Sequence, residues 1–540
     1  MTPEGASYRG PIDQSTVLPR GRVRARAVEA ATDLAAAARA IPRAVAVPVA
    51  AGLACGLVTV LGIALRIGLL TLPGLGGSLV GVGDNGDAYR LFCTAGLTPD
   101  TPSGFSLWRG VVVTSFTTGG TPCTTAPSSA ATLLGLVVPA GPGVWSLTSY
   151  AWLLAGVAAL GVGLGAAALA AVRPARALLV GVPLVGLLAA LWWSRFLVSL
   201  YAEPTALVAV VWVVVGLLVV AGTRPEQRWQ RLVALGLLGL GGLVGATAKP
   251  GFVPIALVAA ACAALVVVRG RSHRPSRRRA WRLAGPLVAL ALLAGAASPV
   301  AQAVQGQDRS YATVNAHNLI FTALLPELGP DVVLPAVGLP PAAAAHSGEG
   351  FYWAGGRGIP GWTTAIEDRP DEARTAARDV LVTHPGALLT MVGRGLTATM
   401  RPQLEYLPSA PRGTAAERFE GRTVYPEAGP QTALLVRWLD AIAAGWLPAA
   451  VVLAALAAAA ATLLPRVRRA DPLALGLVRT AGACAVLALG IVGLAVLGDG
   501  YYELSKHVWL ASYLVLTAGT AGVAAAVVGL TTRFRRQSRV

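Results

Sequence analysis

The chain has 540 residues, 55% of them hydrophobic and only 13% charged, with mean hydropathy +0.63 and a net charge of +18. That balance excludes an ordinary soluble protein of this length and marks a polytopic membrane protein, because charge-free apolar runs long enough to cross the hydrocarbon core recur along it. The positive charge does not read as a nucleic-acid surface: it is gathered in runs such as "TRPEQRWQR", "RGRSHRPSRRRAWR" and "TRFRRQSRV" at alternate gaps between apolar segments, where cytoplasmic loops belong.

In chain order, residues 1–43 form a basic N-terminal segment expected on the cytoplasmic side, with no short apolar core and cleavage site of a signal peptide. About ten transmembrane helices follow, expected near 44–68, 148–172, 177–197, 205–222, 232–248, 251–268, 283–303, 439–464, 478–498 and 508–530. Helices one to seven thus occupy 44–303, with a first outer loop at 70–147, and "TAKPGF" between five and six reads as a tight turn or a broken helix. A large extracytoplasmic loop covers 304–437, helices eight to ten lie in 438–530, and 531–540 is a basic cytoplasmic tail. The expected fold class is therefore all-α and polytopic, in the plasma membrane, with both termini cytoplasmic.

Within the large loop, "DRPDEARTAARDVLVTHP" reads as a helix with Asp368 near its N-cap and Pro370 in its first turn. "PGALLTMVGRGLTATMRP", apolar but carrying Arg394, reads as a helix on or near the outer membrane surface. Cys55, Cys262 and Cys484 lie in apolar runs and read as packing residues. Cys93 and Cys123 share the first outer loop, where an oxidising compartment would permit a disulfide.

Ionisable groups near a membrane are costly, so their placement is informative. Asp84, Asp87 and Arg90 in "GDNGDAYR" follow span one, and Arg195 and Glu203 in "SRFLVSLYAEP" separate spans three and four. Lys249 separates five and six; Asn315, His317 and Asn318 follow seven; Asp499, Glu503, Lys506 and His507 in "GDGYYELSKH" separate nine and ten. By alternation all of these are outside. Singly each has a plain explanation: a solvated helix end, a snorkelling arginine, or an intrahelical pair in "YELSKH". Four short outer turns polar in the same manner suggest one shared site. The only two lysines, Lys249 and Lys506, both fall in it, and a lysine is a compact point charge suited to phosphate.

A lipid with a phosphorylated sugar head would use this combination. Lys506, His507, Lys249, Arg195 and Arg90 would hold the donor phosphate, Glu203, Asp499, Glu503, Asn315 and His317 the sugar or acceptor, and a carboxylate would take the proton of the incoming hydroxyl. No GK[ST] phosphate loop and no HExxH is present.

The order and sidedness of these stretches resemble the GT-C superfamily of polytopic glycosyltransferases, which use polyprenyl-phosphate sugars and place an acidic motif in the first outer loop. "SLYAEP" and "HPGALLTMVGRGLTATMRPQLEYLP" are similar to stretches of actinobacterial hexose transferases of glycan biosynthesis. The resemblance implies a polyprenyl-phosphate sugar donor, a cell-envelope glycan or lipid acceptor, membrane lipid as surroundings and no nucleic acid, with Asp84 and Asp87 as general base or metal site. The better-known branches carry an adjacent Asp-Glu pair, whereas these acids stand three apart. Which of them is the base stays open, with Asp84 favoured, and a divalent cation, Mg or Mn, stays open as a cofactor. The main alternative is a transporter or flippase of a lipid-linked or small polar substrate, which would place polar residues near the bilayer midplane on broken helices.

Overall fold

A computed structural model describes residues 42–71, 79–84, 86–100, 112–269, 281–354, 358–404, 407, 409 and 445–537. Nearly all of the expected N-terminal segment, most of the basic run at 269–282, the later part of the large loop with the start of the eighth span, and the end of the tail lie outside the described residues.

Helix α1 (Arg43–Arg66) packs along α4 (Thr148–Ala170). Between them come the short helices α2 (Tyr89–Thr94) and α3 (Ser129–Gly135) and an antiparallel sheet of β1 (Thr98–Pro99), β2 (Ser115–Thr118) and β3 (Gly143–Ser146), in which Phe116 pairs with Trp145. The α1–α4 contact depends on small residues. A Cβ on Gly52 would stand 2.8 Å from the Gly163 carbonyl oxygen, and one on Gly163 2.9 Å from that of Gly52. With Gly56 one turn on, this is the small-xxx-small approach by which helices associate where lipid gives no hydrophobic drive.

The third expected span is bent. A 3₁₀ turn at Pro174–Val180 leads into α5 (Gly181–Ala189), and the chain turns by 81° before Leu191–Leu197. Helices α6 (Glu203–Gly222) and α7 (Arg228–Ala248) follow as an antiparallel pair, then α8 (Val253–Ala264). "TAKPGF" proves to be a broken helix: proline at 250 bars the helical conformation to the residue before it, Lys249 is extended (φ −156°, ψ 144°), and a 3₁₀ turn over Pro250–Phe252 opens α8.

Helix α9 (Ala284–Asn318) continues through a π-turn at Leu319–Leu324 to Leu328, 45 residues without interruption. At 1.5 Å per residue it is about 68 Å long, roughly twice the hydrocarbon thickness. Residues from about 304 onward, expected as loop, are therefore the projecting half of this helix. Around it a second core gathers Phe321, Leu334, Trp362, Ile366, Leu381 and Met391, distinct from the bundle core. This outer lobe contains α10 (Pro370–Thr383), with Pro370 at its start and Asp371 and Glu372 in its first turn, and α11 (Pro385–Ala398). Acids there complement the positive helix end. Arg394 of α11 pairs with Glu327 at 2.6 Å. The chain closes with α12 (Leu447–Ala461), α13 (Pro472–Asp499) and α14 (Trp509–Gln537).

Among the described residues seven helices are long and apolar enough to cross a membrane, or eight if the bent pair counts as one span. The expected sixth and eighth spans correspond to the shorter apolar helices Pro250–Ala264 and Leu447–Ala461. The pairing of α6 with α7 separates the charges. Glu203 and Lys249 share one end of the bundle, whereas at the other Arg176 donates to the Gly222 carbonyl, Arg231 to that of Thr223, and Arg269 pairs with Glu226.

Candidate functional site

The site begins with an extended segment locked on three sides. Val80 N donates to Ile67 O (3.0 Å), Gly81 N to Ser409 O (2.8 Å) and Val82 N to Val198 O (3.1 Å). Glycine is required at 81: a Cβ there would stand 2.5 Å from Val198 O. Asp84 Oδ1 then accepts the N–H groups of Gly86 (2.7 Å) and Ala88 (3.1 Å), closing the turn that launches α2. Gly86 takes the left-handed φ of 104° which that turn needs. The turn presents Asp87 and, one helical step on, Arg90.

Asp87 meets Lys506, whose ammonium also bonds Glu503 Oε2 at 3.0 Å and lies 5.5 Å from the centre of the Tyr201 ring. The Lys506 side chain is only 1% exposed, that of Asp87 37%. Arg90 Nη2 stands 3.9 Å from Asp87, its guanidinium 4.2 Å over the ring of Tyr311 on α9. Glu203, at the start of α6, pairs with Lys249 at 2.9 Å. Burial alone would raise the Asp87 carboxyl, but Lys506, Lys249 and Arg90 outweigh it and hold the group well below the usual carboxylate range. Glu503 sits at φ 44°, one of two non-glycine residues with positive φ among those described. Such a conformation persists only where surrounding contacts impose it.

Asp87, Arg90, Glu203, Lys249 and Tyr311 line one cleft of about 390 Å³. Its far wall is the segment after Cys123. A Cys93–Cys123 disulfide, with Cα atoms 5.4 Å apart, joins that segment to α2, and the hydroxyls of Thr94 and Thr125 bond at 2.7 Å. Ser128 Oγ donates to Ala248 O (3.0 Å), tying the same wall to the end of α7.

A second group adjoins the first. Asp499 accepts from Asn318 Nδ2 (2.6 Å) and pairs with His507 Nε2 (3.0 Å). The rings of Tyr352 and Tyr502 lie 5.8 Å apart, and Tyr352 is within electrostatic reach of Tyr311, Asp87 and Asp499, so it stands between the two groups. Gly500 holds this loop against α9: a Cβ there would stand 2.5 Å from Asn318 O.

Several expected site residues stand elsewhere. Arg195, placed by its sequence at the donor phosphate, is fully buried, and its guanidinium donates to the carbonyls of Leu407 (3.1 Å) and Gln403 and to the Ser409 hydroxyl. It braces the chain after α11 and does not line the cleft. His317 is also fully buried; Trp362 Nε1 donates to its Nδ1 (3.0 Å), which leaves its Nε2 to donate to Glu349 O (3.0 Å). It is a packing histidine of the outer lobe, and Asn315 beside it is buried too. Asp84 does not line the cleft but borders a separate small, mainly apolar cavity. Tyr201, Tyr311, Tyr352 and Tyr502 were passed over. Tyr201 and Tyr502 stand within two residues of Glu203 and Glu503, a signal that could have flagged them; Tyr352 comes from a stretch without one.

The donor set does not fit a divalent cation. Asp87 and Glu203 are each matched to a lysine ammonium, and among the described residues no three His, Cys, Asp or Glu side chains are grouped to hold a metal.

A family model described as the YfdI N-terminal transmembrane domain matches residues 50–538, nearly the whole chain. The chain belongs to this family. It is accordingly a membrane protein, and the YfdI-type match runs from within α1 through α14, taking in every residue of both polar groups. No curated protein and no solved structure matches significantly.

Proposed function

We propose that this YfdI-type protein is a membrane glycosyltransferase of the GT-C kind. It moves a sugar from a polyprenyl-phosphate donor to a cell-envelope glycan or lipid acceptor on the extracytoplasmic face. The observation that carries the reading is the cleft at one end of an apolar bundle, where Asp87, Arg90, Glu203 and Lys249 converge. A lipid tail would lie along the bundle while its head reaches these groups. Lys249 and Arg90 take the phosphate. Lys506, enclosed between Asp87 and Glu503, keeps Asp87 ionised. The acceptor oxygen bonds to the sugar's anomeric carbon as the bond from that carbon to the phosphate oxygen breaks. The hydroxyl proton passes to Asp87 and the phosphate leaves on the cations. Sidedness is supported by the Cys93–Cys123 pairing, which suits an oxidising compartment, and by the arginines at the opposite end of the bundle.

The bent pair at 174–197 would suit a transporter, but the ionisable groups collect at helix ends rather than mid-span, which favours surface chemistry. The test is transfer from a panel of radiolabelled polyprenyl-phosphate hexoses by the purified protein in nanodiscs supplied with envelope extract. Asp87→Asn should lower transfer by about a hundredfold or more, the range of a lost general base. Full activity in that variant, or movement of the lipid across the bilayer of sealed proteoliposomes without sugar transfer, would overturn the reading.

A further inference from the structure

The two acids of "GDNGDAYR" stand in opposite surroundings. Asp87 faces the cleft among cations. Asp84 is 8% exposed, and its Oδ2 is buried with no hydrogen-bond partner. Asp84 borders a cavity of about 20 Å³ walled chiefly by Val82, Phe92, Val113, Phe116 and Leu147. Two hydroxyl-bearing residues also border it, but both hydroxyl protons are committed: Ser199 donates to Phe196 O (2.6 Å) and Tyr201 to Gly83 O (3.1 Å). The charged groups acting on Asp84 are Asp87 and Lys506, and Lys506 bonds Asp87 and Glu503 directly. An ionised carboxylate with one oxygen left bare in apolar surroundings is far costlier than a neutral acid.

Resting on the glycosyltransferase reading, we propose that Asp84 is a neutral, protonated acid that positions Asp87 and takes no part in proton transfer. Its Oδ1 bonds fix the N–H groups of Gly86 and Ala88, the two neighbours of Asp87. The turn is thereby set so that Asp87 reaches Lys506 on one side and the cleft on the other. Burial raises the Asp84 carboxyl, against the lowering effect of those same backbone bonds, while the Lys506, Lys249 and Arg90 charges lower that of Asp87.

Asparagine keeps the Oδ1 acceptor and, like the neutral acid, carries no charge, so it should substitute well; alanine removes both backbone bonds. Asp84→Asn is therefore expected to keep transfer within about threefold of wild type, and Asp84→Ala to lose about tenfold or more, from two lost hydrogen bonds. Asp84→Asn should also leave the pH profile of transfer in place, since the titrating group would be Asp87. A second readout does not depend on activity. Infrared spectra of the full-length protein in nanodiscs at neutral pH should show the carbonyl stretch of a buried protonated carboxylic acid, lost in Asp84→Asn. If Asp84→Asn is as inactive as Asp87→Asn, if Asp84→Ala is as active as wild type, or if the infrared band is missing, the proposal is overturned. If wild type transfers no sugar at all, the glycosyltransferase reading fails by itself, and the infrared comparison still decides the state of Asp84.

Discussion

Removing Lys506 while leaving its partners tests the charge arrangement most directly. Its side chain is 1% exposed, and its ammonium bonds Asp87 and, at 3.0 Å, Glu503. At an effective dielectric of about 20, a unit pair at that separation is worth about 5.5 kcal/mol before desolvation is subtracted. Asp87 is 37% and Glu503 22% exposed, so water recovers part of what Lys506→Met takes away. Breaking a buried pair costs about 3–5 kcal/mol when the orphaned charge is enclosed, and partial exposure here brings the expected loss to about 2–3 kcal/mol. Adding Asp87→Asn removes one of the stranded charges. The double variant should then be more stable than the sum of the single variants allows, by about 1–2 kcal/mol. Reversible denaturant unfolding of the four proteins in mixed micelles measures this cycle. Additive losses, or a Lys506→Met variant as stable as wild type, would refute the view that the lysine is held in place by these acids.

Three further outcomes are expected. For pH, the Asp87 carboxyl is depressed, so its contribution to stability is present above the unfolded carboxyl value of about 3.9 and is lost only as pH falls through its lower folded value. The Asp84 carboxyl is raised, so wild type is penalised progressively as pH rises from about 3.9 towards its folded value. The stability of Asp84→Asn relative to wild type should rise over that window and then level off; a flat difference from pH 3 to 8 would contradict this. Serine at both Cys93 and Cys123, which are 30 residues apart in sequence, should cost about 3–4 kcal/mol by loop-closure entropy. Because the bridge carries the cleft wall, donor affinity should fall in step, and dithiothreitol should reproduce both effects in wild type but not in the variant. At Gly500 (φ 57°, ψ −131°), alanine would bring strain and a Cβ 2.5 Å from Asn318 O. Gly500→Ala should lower the melting temperature more than Gly498→Ala, where a Cβ meets nothing within 4 Å.

Much of the fold was legible because the membrane imposes a one-dimensional rule. A chain in lipid must satisfy its backbone within each span, so apolar runs mark helices with little help from tertiary context. The starts of α1, α4, α6 and α7 fall within about four residues of expectation on that ground. The projecting half of α9 escaped, because "VQGQDRSYATVNAHN" is polar and its helix is held by the outer lobe rather than by lipid. The bend between α5 and Leu191 escaped too: the run reads as uniformly apolar, and nothing in it marks residue 190 as extended.

The amino-acid order alone indicated that ionisable residues would gather in the turns between apolar spans, both lysines among them, since charge in hydrocarbon is costly. It could not say which of those side chains would meet. Asp87 joins Lys506 across 419 positions, and Arg195 spends its charge on carbonyls more than two hundred residues away. Such pairings are settled by packing in three dimensions, which buried one aspartate of the motif in an apolar pocket and set the other, three residues on, among cations at the cleft.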